Sequence, residues 1–480
     1  MKLVKSLLLG SAAGLAAVAG AQAADLPSKK AAPVEYVRVC SAHGAGFFYI
    51  PGSDTCIKIG GRVRFEYQYA QQFNRSGNFS GMRSLGRFEL DARNSTEWGL
   101  LRAYTRVDFA RRTGSLHSGS GVRLGTAYTG TGVDYVGNVQ NQVFIDRAFV
   151  QLGGLTAGRA VSFFGFYNGD LEMVGTTFGD GAVTNLLAYT ATFGSGFSAT
   201  LSLEDPNERR NIITGPAGAP LPAGAITTVS ATGVSALTAS GYAGSIMPEI
   251  VAALRVDQGW GSAQLSGALH QVRAIGTTAN PGMTGSTTYG YALNAGVKIN
   301  LPMLAAGDAF YLQAAYTNGA VTYAMNNFMG YGASSQGIGA LGRLQAVDAV
   351  VLANGSVQTT QVWAITGGML HYWTPKIRQG VFGSYGQINY GSAATLGFGG
   401  TSSNAAGLAN PFRNWAYWTV GSNVYYSPVK GLDLGIEVDY QGNVLDGGKL
   451  NSGLVGPASV GALASSSGAW TTRIRVQRDF

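Results

Sequence analysis

Ile57-Lys58-Ile59-Gly60-Gly61-Arg62-Val63-Arg64-Phe65-Glu66-Tyr67-Gln68-Tyr69 alternates without interruption. Its odd positions are Ile57, Ile59, Gly61, Val63, Phe65, Tyr67 and Tyr69, and its even positions are Lys58, Gly60, Arg62, Arg64, Glu66 and Gln68. Successive side chains of a strand point to opposite faces, so this period of two predicts a β-strand with one apolar and one charged face. The pattern returns three times. Phe88, Leu90 and Ala92 oppose Arg87, Glu89, Asp91 and Arg93; Val107 and Phe109 oppose Arg102, Arg106 and Asp108; Leu432, Leu434, Ile436, Val438 and Tyr440 oppose Asp433, Gly435, Glu437 and Asp439. Asp146 and Arg378 interrupt the alternation of the segments around them.

A soluble sandwich alternates as well, but between a core and bulk water. The layout of the chain separates the two cases. Tight Gly, Pro, Asn and Ser clusters at 94–97, 153–154, 194–196, 257–261, 301–308, 374–376 and 427–431 reverse the chain, and long Gly/Ala/Ser/Thr-rich segments such as 205–247, 318–360, 391–413 and 441–468 lie between them. Loops of that length are uncommon in a compact soluble domain. Short turns alternating with long loops are the organisation of a transmembrane barrel. Seven turns and eight loops predict sixteen antiparallel strands, from 56–70 to 469–480, in one domain. A barrel of that size encloses water, because side chains cannot fill it.

Composition agrees. Only 12% of the 480 residues are charged, half the usual share, while glycine reaches 71 residues and tyrosine 23. No apolar run long enough for a membrane-spanning helix follows the first 25 residues. The net charge of +8 is too diffuse to point to nucleic acid. Residues 1–23 combine Lys2 and Lys5, an apolar core from Leu7 to Val18 and Ala21-Gln22-Ala23, the three parts of a secretory signal peptide. The expected organisation is therefore a signal peptide over 1–23, a periplasmic segment over 24–55 and a barrel over 56–480. Cys40 and Cys56 form an even pair in an exported chain and are expected to be bridged, which would add about 3 kcal/mol in the chain-entropy description. No metal site is expected, since the pair has no further ligand cluster beyond His43.

Ala24-Asp25-Leu26-Pro27, Val34 to Cys40, Gly46-Phe47-Phe48-Tyr49-Ile50-Pro51-Gly52 and Asp54-Thr55-Cys56-Ile57-Lys58-Ile59-Gly60-Gly61 closely resemble the start of alphaproteobacterial outer-membrane porins. The end, Thr472 to Phe480, is similar to the last strand of such barrels, where a terminal aromatic residue, here Phe480, serves as the assembly signal; Arg478 departs from the common apolar choice. The resemblance implies a sixteen-stranded, trimeric barrel in the bacterial outer membrane, with passive diffusion of small hydrophilic molecules and ions, no cofactor and no catalysis. It also supports the Cys40–Cys56 bridge. The expected partners are membrane lipids and lipopolysaccharide, further copies of the chain as a homotrimer, and the diffusing solutes.

In this family the third external loop folds inward. Here that loop is 165–181, carrying Asp170, Glu172 and Asp180 and no basic residue. Lys58, Arg62, Arg64, Arg87, Arg93, Arg102, Arg106, Arg147 and Arg159 are expected on the opposing wall. Acids facing arginines would set a field across the pore and tune ion preference, with a mild bias toward anions. The plainer alternative is that these arginines pair with Glu66, Glu89, Asp91 and Asp108 and stiffen the wall.

Two other functions compete with this reading. An enzymatic barrel would need a nucleophile and base, yet none of His43, His117, His270 and His371 lies in a Gly-x-Ser-x-Gly or His-Glu-x-x-His context. A solute-specific, sugar-type channel would use an aromatic ladder, for which Trp415, Tyr417, Trp418, Tyr425 and Tyr426 are candidates. Anchoring in an aromatic girdle explains such a patch more simply.

Overall fold

The computed structural model describes residues 38–71, 78–116, 139–211 without 168, 176 and 180, 213–214, 229–230, 233–234, 242–274, 286–325, 346–351, 356–391, 414–446, 450–451, 463–464 and 466–480. The expected signal peptide over 1–23 lies outside the described residues. The chain divides into two compact units after Ile57.

In the first unit Phe48–Tyr49 pairs with Cys56–Ile57, and Cys40 and Cys56 are joined by a disulfide with Cα atoms 6.0 Å apart. Both cysteines are buried with Phe47. His43 lies close to the two sulfurs, but the disulfide leaves no thiolate to bind a metal.

The second unit is a closed barrel of 16 antiparallel strands. They are β1 (Cys56–Ala70), β2 (Ser80–Thr96), β3 (Gly99–Thr113), β4 (Val139–Leu152), β5 (Leu155–Val161), β6 (Val183–Gly194), β7 (Phe197–Glu204) and β8 (Glu249–Gln258). The second half is β9 (Gly261–Arg273), β10 (Thr287–Asn300), β11 (Ala309–Asn318), β12 (Gln361–Thr374), β13 (Ile377–Asn389), β14 (Trp415–Tyr426), β15 (Leu432–Leu445) and β16 (Ser466–Asp479). Each pairs with its neighbours in sequence, and β16 returns to β1 in a register running from Arg62 opposite Asp479 to Ala70 opposite Thr471. Phe480 and Gly61 exchange backbone hydrogen bonds at 3.0 and 3.1 Å. A side chain at position 61 would strike the Arg87 carbonyl and the Phe480 ring, so this seam requires glycine there.

Closure leaves no free sheet edge, and alternation then sorts the side chains. In β1, Ile59, Val63, Phe65 and Tyr69 are exposed on the outside, while Glu66, Gln68 and Ala70 are buried on the inside. Outer aromatics stack from strand to strand near the long-loop end: Trp363 with Tyr385 at 5.4 Å, and Trp418, Tyr440 and Trp470 in series at 5.2 and 4.7 Å. Trp98, Trp260 and Trp373 stand exposed near the short turns. These are the two girdles of a membrane barrel.

The two interruptions in the sequence pattern have different causes. Arg106 pairs with Arg147 but Val107 pairs with Ile145, so Asp146 is the extra residue of a β-bulge. The bulge turns Asp146 inward beside Arg147, and both keep their charges out of the lipid. Arg378 does not break the alternation: it faces inward with Phe382 and Ile388, whose apolar side chains are covered from within. The strands β2 and β15 run beyond the alternation read at 87–93 and 432–440. In β15, Gln441 and Asn443 continue the inward polar face, which reads in sequence as the start of a loop.

Candidate functional site

Strand β5 ends early, at Val161, and the third external loop leaves it directly into the barrel. The Phe164 carbonyl accepts from Ser266 Oγ at 2.5 Å and Asn294 Nδ2 at 3.1 Å, and the Phe166 and Tyr167 amides donate to Gln313 Oε1 at 3.1 and 2.8 Å. Further on, Met173 and Val174 donate to the Glu437 carboxylate at 2.7 Å each, and the Met173 carbonyl accepts from Arg473 at 2.5 Å and Arg475 at 3.0 Å. The return stretch is held by Phe178, whose amide donates to Ser384 Oγ at 3.1 Å and whose carbonyl accepts from Thr366 at 2.5 Å. All of these partners are inward residues of β9 to β16. A loop crossing the interior must satisfy its backbone polar groups there, and the wall supplies the partners. Burial and the Glu172 charge push the Tyr167 hydroxyl well above its ordinary pKa.

The loop thus occupies the side formed by β9 to β16, and the inner faces of β1 to β4 stand opposite. That wall is a lattice of ion pairs. Arg87 grips Asp108 with two bonds of 2.7 and 2.8 Å. Asp91 accepts bidentately from both Arg93 and Arg102, at 2.7 to 3.0 Å. Arg106 pairs with Asp146 and approaches Glu89 at 3.7 Å. Arg62 bonds Asp479 at 2.5 Å and Arg64 bonds Gln477 at 2.8 Å. Buried Glu66 gathers Arg83, Arg473 and Arg475. Arg102 also lies over the ring of Tyr104, 4.9 Å from its centre. Forked arginine contacts of this kind fix side-chain direction as well as charge.

The expected site residues fall unevenly on this frame. Asp170 is exposed on the loop. Glu172 is buried and accepts from the Thr177 amide at 3.1 Å and from the Thr177 hydroxyl, bracing the loop from within. Asp180 lies outside the described residues. Lys58 is exposed on β1, and Arg147 makes its ion-pair contact with Asp146 at 3.7 Å. Arg159 is on the outer face: Thr156, Gly158 and Ala160 take the inward positions of β5, and Arg159 pairs with Glu208 at 2.6 Å.

The barrel and its inward third loop give the architecture, and the comparisons decide the family. The sequence profile described as Porin subfamily matches residues 25–452. The chain belongs to this porin subfamily. Porin Omp2b of Brucella canis and Porin Omp2b of Brucella abortus are each 33% identical over 270 residues, covering 54% of this chain and 64% of theirs. The chain therefore aligns with somewhat less than two thirds of the length of these curated relatives. Among solved structures, the outer membrane channel DcaP of Acinetobacter baumannii is similar with a TM-score of 0.57 and 15% identity, over 90% of this chain and 99% of that one, which is a likeness of fold.

Other features of this porin-subfamily barrel have no local signal in the sequence. The loop anchors Glu437, Arg473 and Arg475 sit on inward positions of β15 and β16, and the period-two pattern already marks those positions as inward. The described parts of the sixth external loop, 319–325, 346–351 and 356–360, also turn inward: Val321, Ala324, Met325, Val347 and Val350 pack with Phe178 of the third loop and with Trp415 and Tyr417. The loop is tied down by Asp348, which accepts from the Asn211 and Val321 amides at 2.6 and 2.8 Å and from the Tyr242 hydroxyl at 2.7 Å. The aromatic patch of β14 is accordingly split. Trp415 and Tyr417 are buried under the two loops, Tyr425 lies beside Arg378 and Arg475, and Trp418 and Tyr426 face outward. No continuous ladder forms from these five residues. His270 bonds Glu249 and Tyr242, and His371 bonds Asp308; none of these partners is a serine.

Proposed function

We propose that this chain forms a water-filled outer-membrane channel for passive diffusion of small hydrophilic molecules and ions. The observation that carries the proposal is the third loop seated along β9 to β16, which leaves the arginine-rich wall of β1 to β4 as the opposite side of the passage. On this reading exposed Asp170 forms the acidic side, to which the loop sequence adds Asp180, while Glu172 braces the loop through Thr177, and Arg62, Arg64, Arg87, Arg93, Arg102, Arg106 and Arg147 form the basic side. The wall acids neutralise most of these arginines, so the remaining field is weak and the ion preference is a mild one for anions. The Omp2b relatives are called porins by name, which supports the same reading.

The functional unit of the proposal is a homotrimer of chains exported by a cleaved signal peptide over 1–23, with lipopolysaccharide around the outer rim and Phe480 as the assembly signal. Strands β5 and β7 have 7 and 8 residues, fewer than the ~9–11 that a tilted strand needs to span the hydrocarbon. Asn141, Arg159 and Asn185 stand on the outer faces of β4 to β6 at the level where β12 to β16 carry stacked aromatics. The short β5 and β7, with these polar outer residues near the long-loop end, support contact with a neighbouring copy along β4 to β7.

Single-channel conductance of the refolded mature chain in a planar bilayer, with reversal potential under a salt gradient, tests the proposal. Stepwise openings in threes with a small anion-directed potential are expected. A folded barrel that carries no current would overturn it.

A further inference from the structure

The outer surface of β11 to β14 carries a groove of about 580 Å³. Its floor is glycine, Gly367 on β12 and Gly383 on β13, and its walls are Met369, Val381 and Val420. These residues hold outward positions: Val381 and Val420 are about half exposed, on the same parity as Ile365 and Tyr385. At the short-turn end the groove meets His371, Trp373 and Gln379. His371 Nδ1 is held by Asp308 at 2.6 Å, its ring stands edge-on to Trp373 at 4.6 Å, and Trp373 Nε1 donates to Gln379 at 2.9 Å. Burial raises the Asp308 carboxyl, but the hydrogen bonds from His371 and the Tyr372 amide outweigh it and hold the group below the usual carboxylate range. Exposed Lys376 sits on the turn just beyond.

We propose that this groove binds a glycerophospholipid of the periplasmic leaflet, with one acyl chain over Gly367 and Gly383 and the phosphate at the His371 and Lys376 end. Depth points to that leaflet. The run from Trp373 to Gly367 covers about 20 Å of strand at ~3.3 Å per residue. At a tilt of ~40° this is about 15 Å of depth, half of a hydrocarbon core of ~30 Å. The groove therefore reaches from the interface to the midplane and stops, which is the extent of one lipid chain.

Polarity follows the same axis. Hydrocarbon-lined space occupies the deep half, and the polar side chains with a cation nearby lie at the interface, where an aromatic residue marks headgroup level. The groove is continuous with the membrane-facing band: Trp363 and Tyr385 stack above it and Trp373 bounds it below, so both girdles are intact on this sector. A second copy of the chain would be expected instead on the sector of β4 to β7, where β5 and β7 are short and Asn141, Arg159 and Asn185 interrupt the apolar outer face.

Position 367 allows a direct test. A Cβ there meets nothing closer than 3.5 Å, so the sheet accepts a side chain that fills the groove. The full-length mature chain is reconstituted in vesicles of phosphatidylethanolamine and phosphatidylglycerol, extracted in mild detergent and weighed by native mass spectrometry. The wild type is expected to keep one phospholipid per chain. G367F should lower that retention by about tenfold, equivalent to losing roughly two methylene contacts, while heat-modifiable gel migration and conductance stay unchanged. V420W, which fills the groove from the next strand, should repeat the effect if G367F fails to fold, and K376E should weaken retention through the headgroup alone. Absence of bound lipid in the wild type, or equal retention in a folded, filled variant, would overturn the proposal. So would loss of oligomers without loss of lipid, because a second copy would then be the occupant.

Discussion

Asp91 shows how the wall sets its charge. One carboxylate receives four hydrogen bonds from Arg93 and Arg102, both of which face the passage. Removing the acid's charge leaves two guanidinium groups with a weaker partner, and the barrel has no spare acid within the same register: the residue directly opposite is Tyr104. D91N should therefore keep the fold, since the amide oxygen still accepts, but shift the reversal potential toward anions. The matching R106A variant releases Asp146 and should shift it toward cations. Measured in one salt gradient, the two shifts must have opposite signs; shifts of the same sign would mean that these residues act on loop position and not on the field.

At the level of elements, the third loop is the part whose function depends on a few bonds. Glu437 accepts two backbone amides at 2.7 Å, and hydrogen bonds to a charged group contribute about 1.5–3 kcal/mol each. E437A removes both and leaves Met173 and Val174 with buried, unpaired amides. The expected result is a barrel with nearly normal gel migration but with larger, noisier single-channel conductance, because the loop and not the wall is loosened. A change in barrel melting with unaltered conductance would contradict this. The strands themselves were legible from sequence, because lipid outside and water inside impose a strict period of two on β1, β2, β3 and β15. The loop anchors were not. Their positions were readable as inward, but Glu437, Arg473 and Arg475 look like any other wall charge until the loop is laid against them. The inward packing of the sixth loop is illegible in the sequence for a related reason: Val321, Met325, Val347 and Val350 have no periodicity, and their burial depends on Phe178, well over a hundred residues earlier. Asp146 does disturb the pattern, whereas Arg378 keeps it: the inward face of β13 turns apolar where the third loop covers it.

For the whole molecule the decisive property is asymmetry around the ring. Strands β9 to β16, which bear the loop, bind its backbone with inward polar groups, and β1 to β4, across from the loop, keep arginines and carboxylates paired. Within β1 to β4 the inward arginines outnumber the carboxylates, but pairing reduces the excess to a field that salt can screen. The Debye length is ~3 Å at 1 M and ~30 Å at 0.01 M, so mobile ions cancel the wall charge at high salt and leave it felt across the whole passage at low salt. The anion preference should accordingly be near zero at about 1 M and rise steadily as both compartments are diluted at a constant gradient ratio. Selectivity set by tight contact at a narrow point would not follow this course, since ions touching the wall are not screened by the bath. A reversal potential that stays constant through the dilution series would therefore place selection in direct contact with the loop, and one that turns toward cations would assign the dominant field to Asp170 and its neighbours.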